Sequence, residues 1–346
     1  MANEETGETR RGCGRRVLAA LAVLALSVGV GLGAVWSLMP ASRQKKAVVV
    51  EIPRNWGSRE IAGRLRAVGL IRSEWAFLAA GRVLGELGNL QAGEYELDVS
   101  MSPVEILDKL ARGDVKAYWV TIPEGSTIDD IAHLLERQRM VNPTRFATLA
   151  KRGGLRLGPE YGVARRHLEG YLFPDTYKIP RGISEERLLR VLLAGFRREV
   201  LQGMDAEIET RTNGLSVADS ITLASLVERE ARLPDERARV AGVLLNRLRR
   251  GMRLECDATV QYALGKTKPR LLLEDLEIDS PYNTYKRAGL PPGPICSPGR
   301  AALRAALKPE RHGYLFYVAD GKTGGHLFSR SFAEHQAAIR RVRGSR

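Results

Sequence analysis

The sequence is poor in cysteine, with three such residues among 346. Cys13 precedes the hydrophobic run at residues 17–39, and Cys256 and Cys296 stand far apart in the main body. No pair has the short spacing typical of zinc ligands, and so few cysteines exclude a disulfide-rich scaffold. The sequence leaves open a single bridge between Cys256 and Cys296.

Aromatic residues are also scarce, at 6% of the chain, whereas lysine and arginine outnumber the acids to give a net charge of +14. A strongly basic protein meets acidic partners such as nucleic acid, anionic lipid or an anionic polymer. Proteins that bind single-stranded nucleic acid interleave basic and aromatic side chains, and no stretch of the sequence has this pattern. We therefore expect no nucleic-acid partner.

Several common catalytic motifs are missing. The sequence has no His-Glu-x-x-His pair, no Gly-x-Ser-x-Gly elbow and no phosphate-binding loop. These absences exclude the usual signatures of zinc proteases, α/β-hydrolases and P-loop nucleotide enzymes. We expect neither a metal nor an organic cofactor.

One long hydrophobic run is present, at residues 17–39. Val17–Leu38 is uncharged, comes after a group of arginines and is long enough to cross the hydrocarbon core of a bilayer. The small-residue cleavage site of a signal peptide is missing. The run therefore predicts one transmembrane signal-anchor helix, with residues 1–16 as a cytoplasmic tail and the body on the outer face of the membrane.

The first part of the body, residues 47–150, alternates short apolar strands with capped helices. Two runs, Val50–Ser58 and Val120–Ser126, repeat one theme of a strand, a turn marked by Pro or Gly, and a helix start. Small modules of this kind either bind a ligand or act as spacers. The pattern alone does not decide between these two roles.

A Gly- and Arg-rich stretch at residues 151–166 lacks periodicity and marks a domain boundary, so we expect a second domain at residues 160–346. That domain mixes helices with strands, which makes the predicted fold class α+β. It also contains an irregular segment, Ser280–Gly299. The prolines and apolar side chains of this segment indicate an ordered groove wall.

The most informative stretch is a predicted helix at residues 216–230. Ser216, with Asp219 three residues on, is typical of a capped helix start, and no glycine or proline interrupts the chain from there to Leu233. At about 100° per residue, Glu228 falls in the middle of the apolar stripe, whereas Glu230 points roughly 160° away, at the edge of the polar side. A carboxyl on a buried face either pairs with a cation or stays protonated as a general acid. The helix alone leaves both alternatives open.

Sequence motifs of one known family run through almost the whole chain in a fixed order. They are Glu169-Gly-Tyr-Leu-Phe-Pro-Asp-Thr-Tyr177, Ala224-Ser-Leu-Val-Glu-Arg-Glu230, Val243-Leu-Leu-Asn-Arg-Leu248, Asp257-Ala-Thr-Val260, Tyr282-Asn-Thr-Tyr285, Gly289-Leu-Pro-Pro-Gly-Pro-Ile295, Tyr317-Val-Ala-Asp-Gly321 and Gly325-His-Leu-Phe328. Taken together, they resemble the endolytic murein transglycosylases of the MltG (YceG-like) family. Residues 47–150 resemble the LysM-like module of that family.

The resemblance implies an inner-membrane enzyme that cuts nascent peptidoglycan strands between N-acetylmuramic acid and N-acetylglucosamine and leaves a 1,6-anhydro-muramyl end. The catalytic glutamate of the family falls on Glu228. The implied partners are peptidoglycan glycan strands, the inner membrane and peptidoglycan synthases of the penicillin-binding class. One carboxyl suffices for this reaction, because the C6 hydroxyl of the substrate replaces the water that a hydrolase activates with a second carboxylate.

Six further residues are candidates for binding the substrate: Asn246, Asp257, Tyr282, Asn283, Tyr285 and His326. Tyr282 and Asn283 lie in the irregular segment, where an aromatic face beside an amide suits a pyranose ring. Asn246 and its neighbour Arg247 either bond to sugar hydroxyls or tie helices together. Asp257 also fits a turn-capping role, and a lone histidine such as His326 is more often structural.

One motif departs from the family pattern, since the usual Asp-Pro-Thr-Val reads Asp257-Ala258-Thr259-Val260. The departure leaves Asp257 in place. An alternative function is a non-catalytic membrane scaffold that binds peptidoglycan for the elongation or division machinery. Mass spectrometry of digested glycan strands distinguishes the enzyme from the scaffold.

Overall fold

The computed structural model describes residues 21–344, with gaps at residues 22–23, 25–26, 30, 34, 154, 156–166, 205–207 and 209–213. The fold of this part is α+β, as the sequence predicts. The chain divides into two compact units. The first holds the residues up to Ala117 with Pro180–Gly182, and the second holds Tyr118–Ile179 and Ile183–Arg346.

The first unit has the order strand, helix, helix, strand, helix. Its elements are β1 (Ala47–Ile52), α1 (Ser58–Ala67), α2 (Glu74–Val83), β2 (Gly93–Asp98) and α3 (Pro103–Arg112). The two strands are antiparallel, with Val50 opposite Tyr95. Both of these side chains are buried among the apolar faces of the helices, and together they form the core of the unit.

The second unit is mainly helical. Its helices are α4 (Ile128–Arg137), α5 (Pro143–Arg152), α6 (Glu185–Phe196), α7 (Val217–Glu230), α8 (Arg237–Arg249), α9 (Asp257–Leu264), α10 (Leu273–Leu276), α11 (Arg300–Leu307) and α12 (Phe332–Gly344), with a π-helical turn at Arg197–Gln202 and a 3-10 turn at Pro234–Glu236. Two strand pairs complete it: β3 (Ala117–Thr121) with β4 (Thr176–Pro180), whose end residues Ala117 and Pro180 are counted in the first unit, and β5 (Phe316–Ala319) with β6 (His326–Ser329).

The division between the units falls at residues 117–118, earlier in the chain than the boundary that the sequence places within residues 151–166. Val120 of β3 and the buried residues of α4 and α5 share one hydrophobic core with α6 and α7. These elements pack in the second unit because their apolar faces are covered there. Residues 156–166 themselves lie outside the described residues.

The described part of the structure does not contain the transmembrane helix that the sequence predicts at residues 17–39. Among the described residues, no helix is long and apolar enough to cross a membrane. A spanning helix needs about 20 apolar residues, and no helix of the described part meets this requirement. The prediction of a spanning helix is therefore wrong for this part of the chain, and the tail predicted at residues 1–16 lies outside it.

Helix α7 lies in the core of the second unit. Its N-cap is Ser216, whose side chain accepts a hydrogen bond from the Asp219 backbone N–H at 3.1 Å, in agreement with the capping pattern. All residues from Ser220 to Val227 are buried. The helix is thus enclosed on all sides rather than along one apolar stripe.

Cys256 and Cys296 are free, buried thiols. The Cys296 thiol donates to the Ser225 carbonyl at 3.4 Å, and the Cys256 thiol donates to the Leu254 carbonyl at 3.8 Å. The bridge that the sequence left open is not formed between these two residues. Each thiol instead makes a weak hydrogen bond within the core.

Candidate active site

Helix α7 ends in three charged residues, and the first of them, Glu228, is held in an ion pair. Its carboxylate accepts a hydrogen bond from the Arg237 guanidinium at 3.3 Å and another from the Gly299 backbone N–H at 2.9 Å. The Glu228 side chain is 6% exposed and that of Arg237 is 15% exposed. Of the two alternatives for a buried carboxyl, this geometry is that of a cationic partner. The hydrogen bond from Gly299 joins α7 to the start of α11, and the ion pair with Arg237 joins α7 to the start of α8.

A second carboxyl, Glu124, lies close to this ion pair. Burial raises the pKa of Glu124 above its usual range, the charge of Glu228 raises it further, and Arg237 opposes the shift. The Glu124 carboxyl packs against Gly299, where an added side chain would overlap it. A glycine at the start of α11 therefore lets two carboxyls approach one helix terminus.

Glu230, the last residue of α7, faces β5 and the start of α9. The Tyr317 hydroxyl donates to its carboxylate at 3.1 Å, and the Ala258 backbone N–H also donates to it. Burial raises the pKa of Glu230 to about 7; the charge of Asp257 adds to the shift, and the two hydrogen bonds oppose it. The residue is half-buried and keeps part of its surface open. A carboxyl whose pKa lies near neutral pH has the protonation behaviour of a general acid.

The position of Glu230 differs from the sequence expectation, which put it at the edge of the polar side of the helix. Tyr317 of β5 and Ala258 of α9 cover that side, and both come from distant parts of the chain. Helical periodicity contains no information on such partners. The catalytic assignment of Glu228 stays a prediction.

Two of the predicted substrate residues, Asp257 and Tyr285, lie beside Glu230. The Tyr285 hydroxyl donates to the Asp257 carboxylate at 2.6 Å. Burial raises the pKa of Tyr285, and its bond to Asp257 raises it further, so the phenol keeps its proton. Asp257 is the first residue of α9 and Ala258 is the second. The first turn of α9 therefore supplies both a negative charge and an N–H group to the surroundings of Glu230.

His326 lies behind Tyr317. Its Nδ1 atom is 2.7 Å from the Glu236 carboxylate, and its side chain is 6% exposed. The His326 ring meets the Tyr317 ring edge to face, with 5.2 Å between centroids. His326 therefore supports the tyrosine that bonds to Glu230, which is the structural alternative that the sequence favours for a lone histidine.

The amides of Asn246 and Asn283 are engaged within the fold. Asn246 donates to the carbonyls of His312 and Tyr314 at 2.8 and 3.1 Å. Asn283 is fully buried and donates to two carbonyls of the preceding segment at 2.8 and 2.9 Å. Each amide braces a neighbouring loop, so a sugar contact by either of them stays a prediction.

Tyr282 lines a cavity in the second unit. Its ring packs on that of Tyr262, with 4.8 Å between centroids, and both residues border a space of about 510 Å³. Arg229 and Ala258 border the same space, although neither Glu228 nor Glu230 does. The cavity therefore begins beside the end of α7 without containing either carboxyl.

Tyr317 is a site residue that sequence chemistry did not identify. Its only signal in the sequence was its place at the start of one of the matching motifs, Tyr317–Gly321. In the structure this motif forms β5 and the turn after it. The strand positions the phenol over the end of α7, which explains why the motif belongs with the others.

Two known proteins of the same name match most of this chain. The endolytic murein transglycosylase of Bacillus subtilis is 34% identical over 315 residues, which cover 87% of this chain and 86% of the relative. The protein of the same name from Streptococcus pneumoniae is 32% identical over 333 residues, and the match covers 88% of this chain and 60% of that longer protein.

A crystal structure of a YceG-like protein from Listeria monocytogenes is also similar. It shares 33% identity with a TM-score of 0.54, and the match covers 85% of this chain and 99% of that one. The YceG-like family matches residues 50–341, which include parts of both units and every residue of this site. The chain belongs to the YceG-like family, as its motifs predict.

Proposed function

We propose that this protein is a lytic transglycosylase that cuts peptidoglycan strands internally, between N-acetylmuramic acid and N-acetylglucosamine. The observation that carries the proposal is the half-buried Glu230, whose pKa is about 7 and whose carboxylate is held by Tyr317. Two relatives that match most of this chain are named endolytic murein transglycosylases, which supports the reaction and the polymer.

The first step uses Glu230 as a general acid. Its proton moves to the glycosidic oxygen as the bond from that oxygen to the muramyl C1 breaks, and the N-acetylglucosamine leaves with a free 4-hydroxyl. Positive charge develops on the muramyl ring in the transition state. The Asp257 carboxylate, oriented by Tyr285, supplies negative charge on this side of the site.

The second step uses the same carboxyl as a general base. The Glu230 carboxylate is stabilised by the Tyr317 hydroxyl and the Ala258 N–H. It accepts the proton of the muramyl C6 hydroxyl while that oxygen forms a new bond to C1. The product is a 1,6-anhydro ring, no water is consumed, and Glu230 is protonated again for the next cycle.

Mass spectrometry of the products tests the proposed reaction. Glycan strands digested by the full-length protein should carry anhydro-muramyl ends, which are lighter than reducing ends by one water. Reducing muramic acid ends would instead make water the nucleophile, with Asp257 as the second carboxylate to examine. Strands that are bound but remain uncut would support the scaffold alternative.

We further propose that the protein acts in the periplasm, at the inner membrane, on strands that peptidoglycan synthases are extending. Its net charge of +14 suits anionic phospholipid and the carboxylates of peptidoglycan stem peptides. A reporter that is active only in the cytoplasm, fused after Arg346, is expected to stay dark. A matched reporter that is active only outside the cytoplasm should give signal. The reverse pair of results would contradict the proposed location.

A further inference from the structure

The cavity of about 510 Å³ is bordered by two residues that are direct neighbours of Glu230. Arg229, which borders it, is the neighbour of Glu230 in the chain. Ala258, which also borders it, gives its backbone N–H to the Glu230 carboxylate. Because the carboxyl itself is not part of the cavity wall, the cavity would receive a group attached to the reacting sugar rather than the bond that breaks.

The acids in the wall of the cavity are already engaged. Asp129 is paired with Lys151, with 2.7 Å between Nζ and Oδ1. Asp130 accepts the backbone N–H and the hydroxyl of Thr127 at 2.9 and 2.8 Å, which caps α4. Lys151 therefore neutralises Asp129, whereas Asp130 keeps its charge, because its partners are neutral groups. With Arg229 and Lys266 included, the wall holds three cations and two acids, a formal charge of +1.

Two cations of the wall, Arg229 and Lys266, have exposed side chains. Arg229 donates one hydrogen bond to the Gly125 carbonyl at 3.4 Å, and a guanidinium group carries five N–H donors in a fork that matches a carboxylate. Lys266 comes just after the end of α9. The cavity therefore presents positive charge to a ligand with carboxylates.

The wall also has an aromatic and apolar part, beside polar side chains such as His133, His167 and Gln261. Tyr262 and Tyr282 pack together on one side, and Ile295 lies on the wall as well. The volume falls in the range of roughly 300–1,000 Å³ that small-molecule sites occupy. A short acidic chain with small apolar side groups fits both the charge and the lining of such a space.

We propose that this cavity binds the stem peptide of the muramyl residue whose bond is cut, with Arg229 and Lys266 receiving its carboxylates. The inference rests on the proposed function, because that function places a muramyl residue at Glu230. Stem peptides are short and acidic, and they are joined to the lactyl group of that sugar. Binding them in this cavity would orient the sugar toward Glu230 and make the enzyme select strands that carry peptides.

The test compares two substrates that differ only in the peptide. One is nascent glycan strand with stem peptides, and the other is the same strand after an amidase has removed them. The full-length protein should show a kcat/KM at least about tenfold higher on the peptide-bearing strands, as expected for charge-assisted hydrogen bonds. The double variant Arg229→Gln/Lys266→Gln should bring the ratio of the two kcat/KM values close to one, mainly by raising KM on peptide-bearing strands.

A matched control removes the same charge elsewhere. Arg304 and Lys322 are exposed, and Arg304→Gln/Lys322→Gln should keep the wild-type ratio. Equal cleavage of both substrates by the wild type would overturn the inference and leave the transglycosylase activity intact. A wild-type ratio in the Arg229/Lys266 variant would also overturn it, since the peptide would then bind elsewhere. Failure of the wild type to cut either substrate would overturn the proposed function, and the inference with it.

Discussion

Glu230→Gln is expected to lower the rate of strand cleavage by about 10²–10⁴-fold, the usual cost of losing acid–base catalysis. Glutamine keeps the size of the side chain and still accepts the hydrogen bond from Tyr317, but it has no proton to transfer. Binding of glycan strands should survive, because nothing that positions the strand is removed. The rate of product formation measures cleavage, and a pull-down on glycan strands with the same preparation measures binding.

The pH profile of the wild type gives a second readout of the same carboxyl. The first step needs Glu230 protonated, and its pKa is raised to about 7 by burial. The kcat/KM value should therefore be highest below pH 7 and decline as the pH rises through about 7. A profile that stays flat through this range would show that another group supplies the proton.

Glu228→Gln is the matched control, two residues away on the same helix end. Glutamine cannot form the ion pair with Arg237, although its amide oxygen still accepts the Gly299 N–H. We expect a stability loss of about 1–3 kcal/mol with most of the activity retained. If Glu228→Gln abolishes cleavage while Glu230→Gln remains active, the prediction from the family resemblance is right and the assignment to Glu230 is wrong.

The existence of α7 could be predicted from the sequence, whereas the hydrogen-bond partners of its two glutamates could not. A serine cap and fourteen residues without glycine or proline suffice to define the helix. Periodicity assigns sides only when one face is open to water. Here residues 220–227 are all buried, so the sequence pattern does not distinguish a buried side of the helix from an exposed one. The partners of Glu228 and Glu230 come from α8, α9, α11 and β5.

The predicted sugar ligands show a second limit of the sequence. An asparagine amide beside a tyrosine has the chemistry to bind a sugar, and this chemistry makes Asn283 a candidate. The fold buries it completely and directs its donors to backbone carbonyls. That outcome depends on the path of the surrounding loop, which no local pattern encodes. Tyr282, one residue earlier, lines the cavity instead.

The domain boundary differs from the sequence prediction for a related reason. Glycine- and arginine-rich composition marks an irregular stretch, but an irregular stretch can lie inside a domain. An element belongs to the unit whose core its apolar face joins. The apolar residues of α4 and α5 share one core with those of α6 and α7. The repeated strand–turn–helix theme at residues 50–58 and 120–126 therefore falls in two different units.

Arg247→Met is expected to lower the free energy of unfolding by about 1.5–3 kcal/mol, the usual worth of hydrogen bonds from a charged donor. Arg247 is buried in the core side of α8. Its guanidinium donates to the Leu315 carbonyl at 2.6 Å and to the Leu254 carbonyl at 3.0 Å, and it pairs with the Glu255 carboxylate at 3.0 Å. Methionine fills similar space but removes the guanidinium donor from both carbonyls and leaves that of Leu254 with only the weak Cys256 thiol donor.

Two controls make the expectation specific. Arg249→Met changes an exposed residue of the same helix and should alter stability by no more than about 0.5 kcal/mol. Arg247→Lys keeps the charge but loses the planar fork, so its effect should fall between those of the two methionine variants. Scanning calorimetry of the full chain measures all three variants. Because the structure has two compact units, each thermal transition is compared separately with that of the wild type.

Activity should fall together with stability in Arg247→Met, although Arg247 lies outside the group that contacts Glu230. The Leu315 carbonyl immediately precedes β5, which carries Tyr317, and Leu254 and Glu255 lead into α9, which carries Asp257 and Ala258. The guanidinium therefore ties together both elements that enclose the Glu230 carboxyl. Loss of this contact should reduce kcat per folded molecule by about tenfold, as expected when a general acid is displaced within its site. An Arg247→Met protein that melts earlier but keeps the wild-type kcat would restrict the role of Arg247 to the stability of the fold.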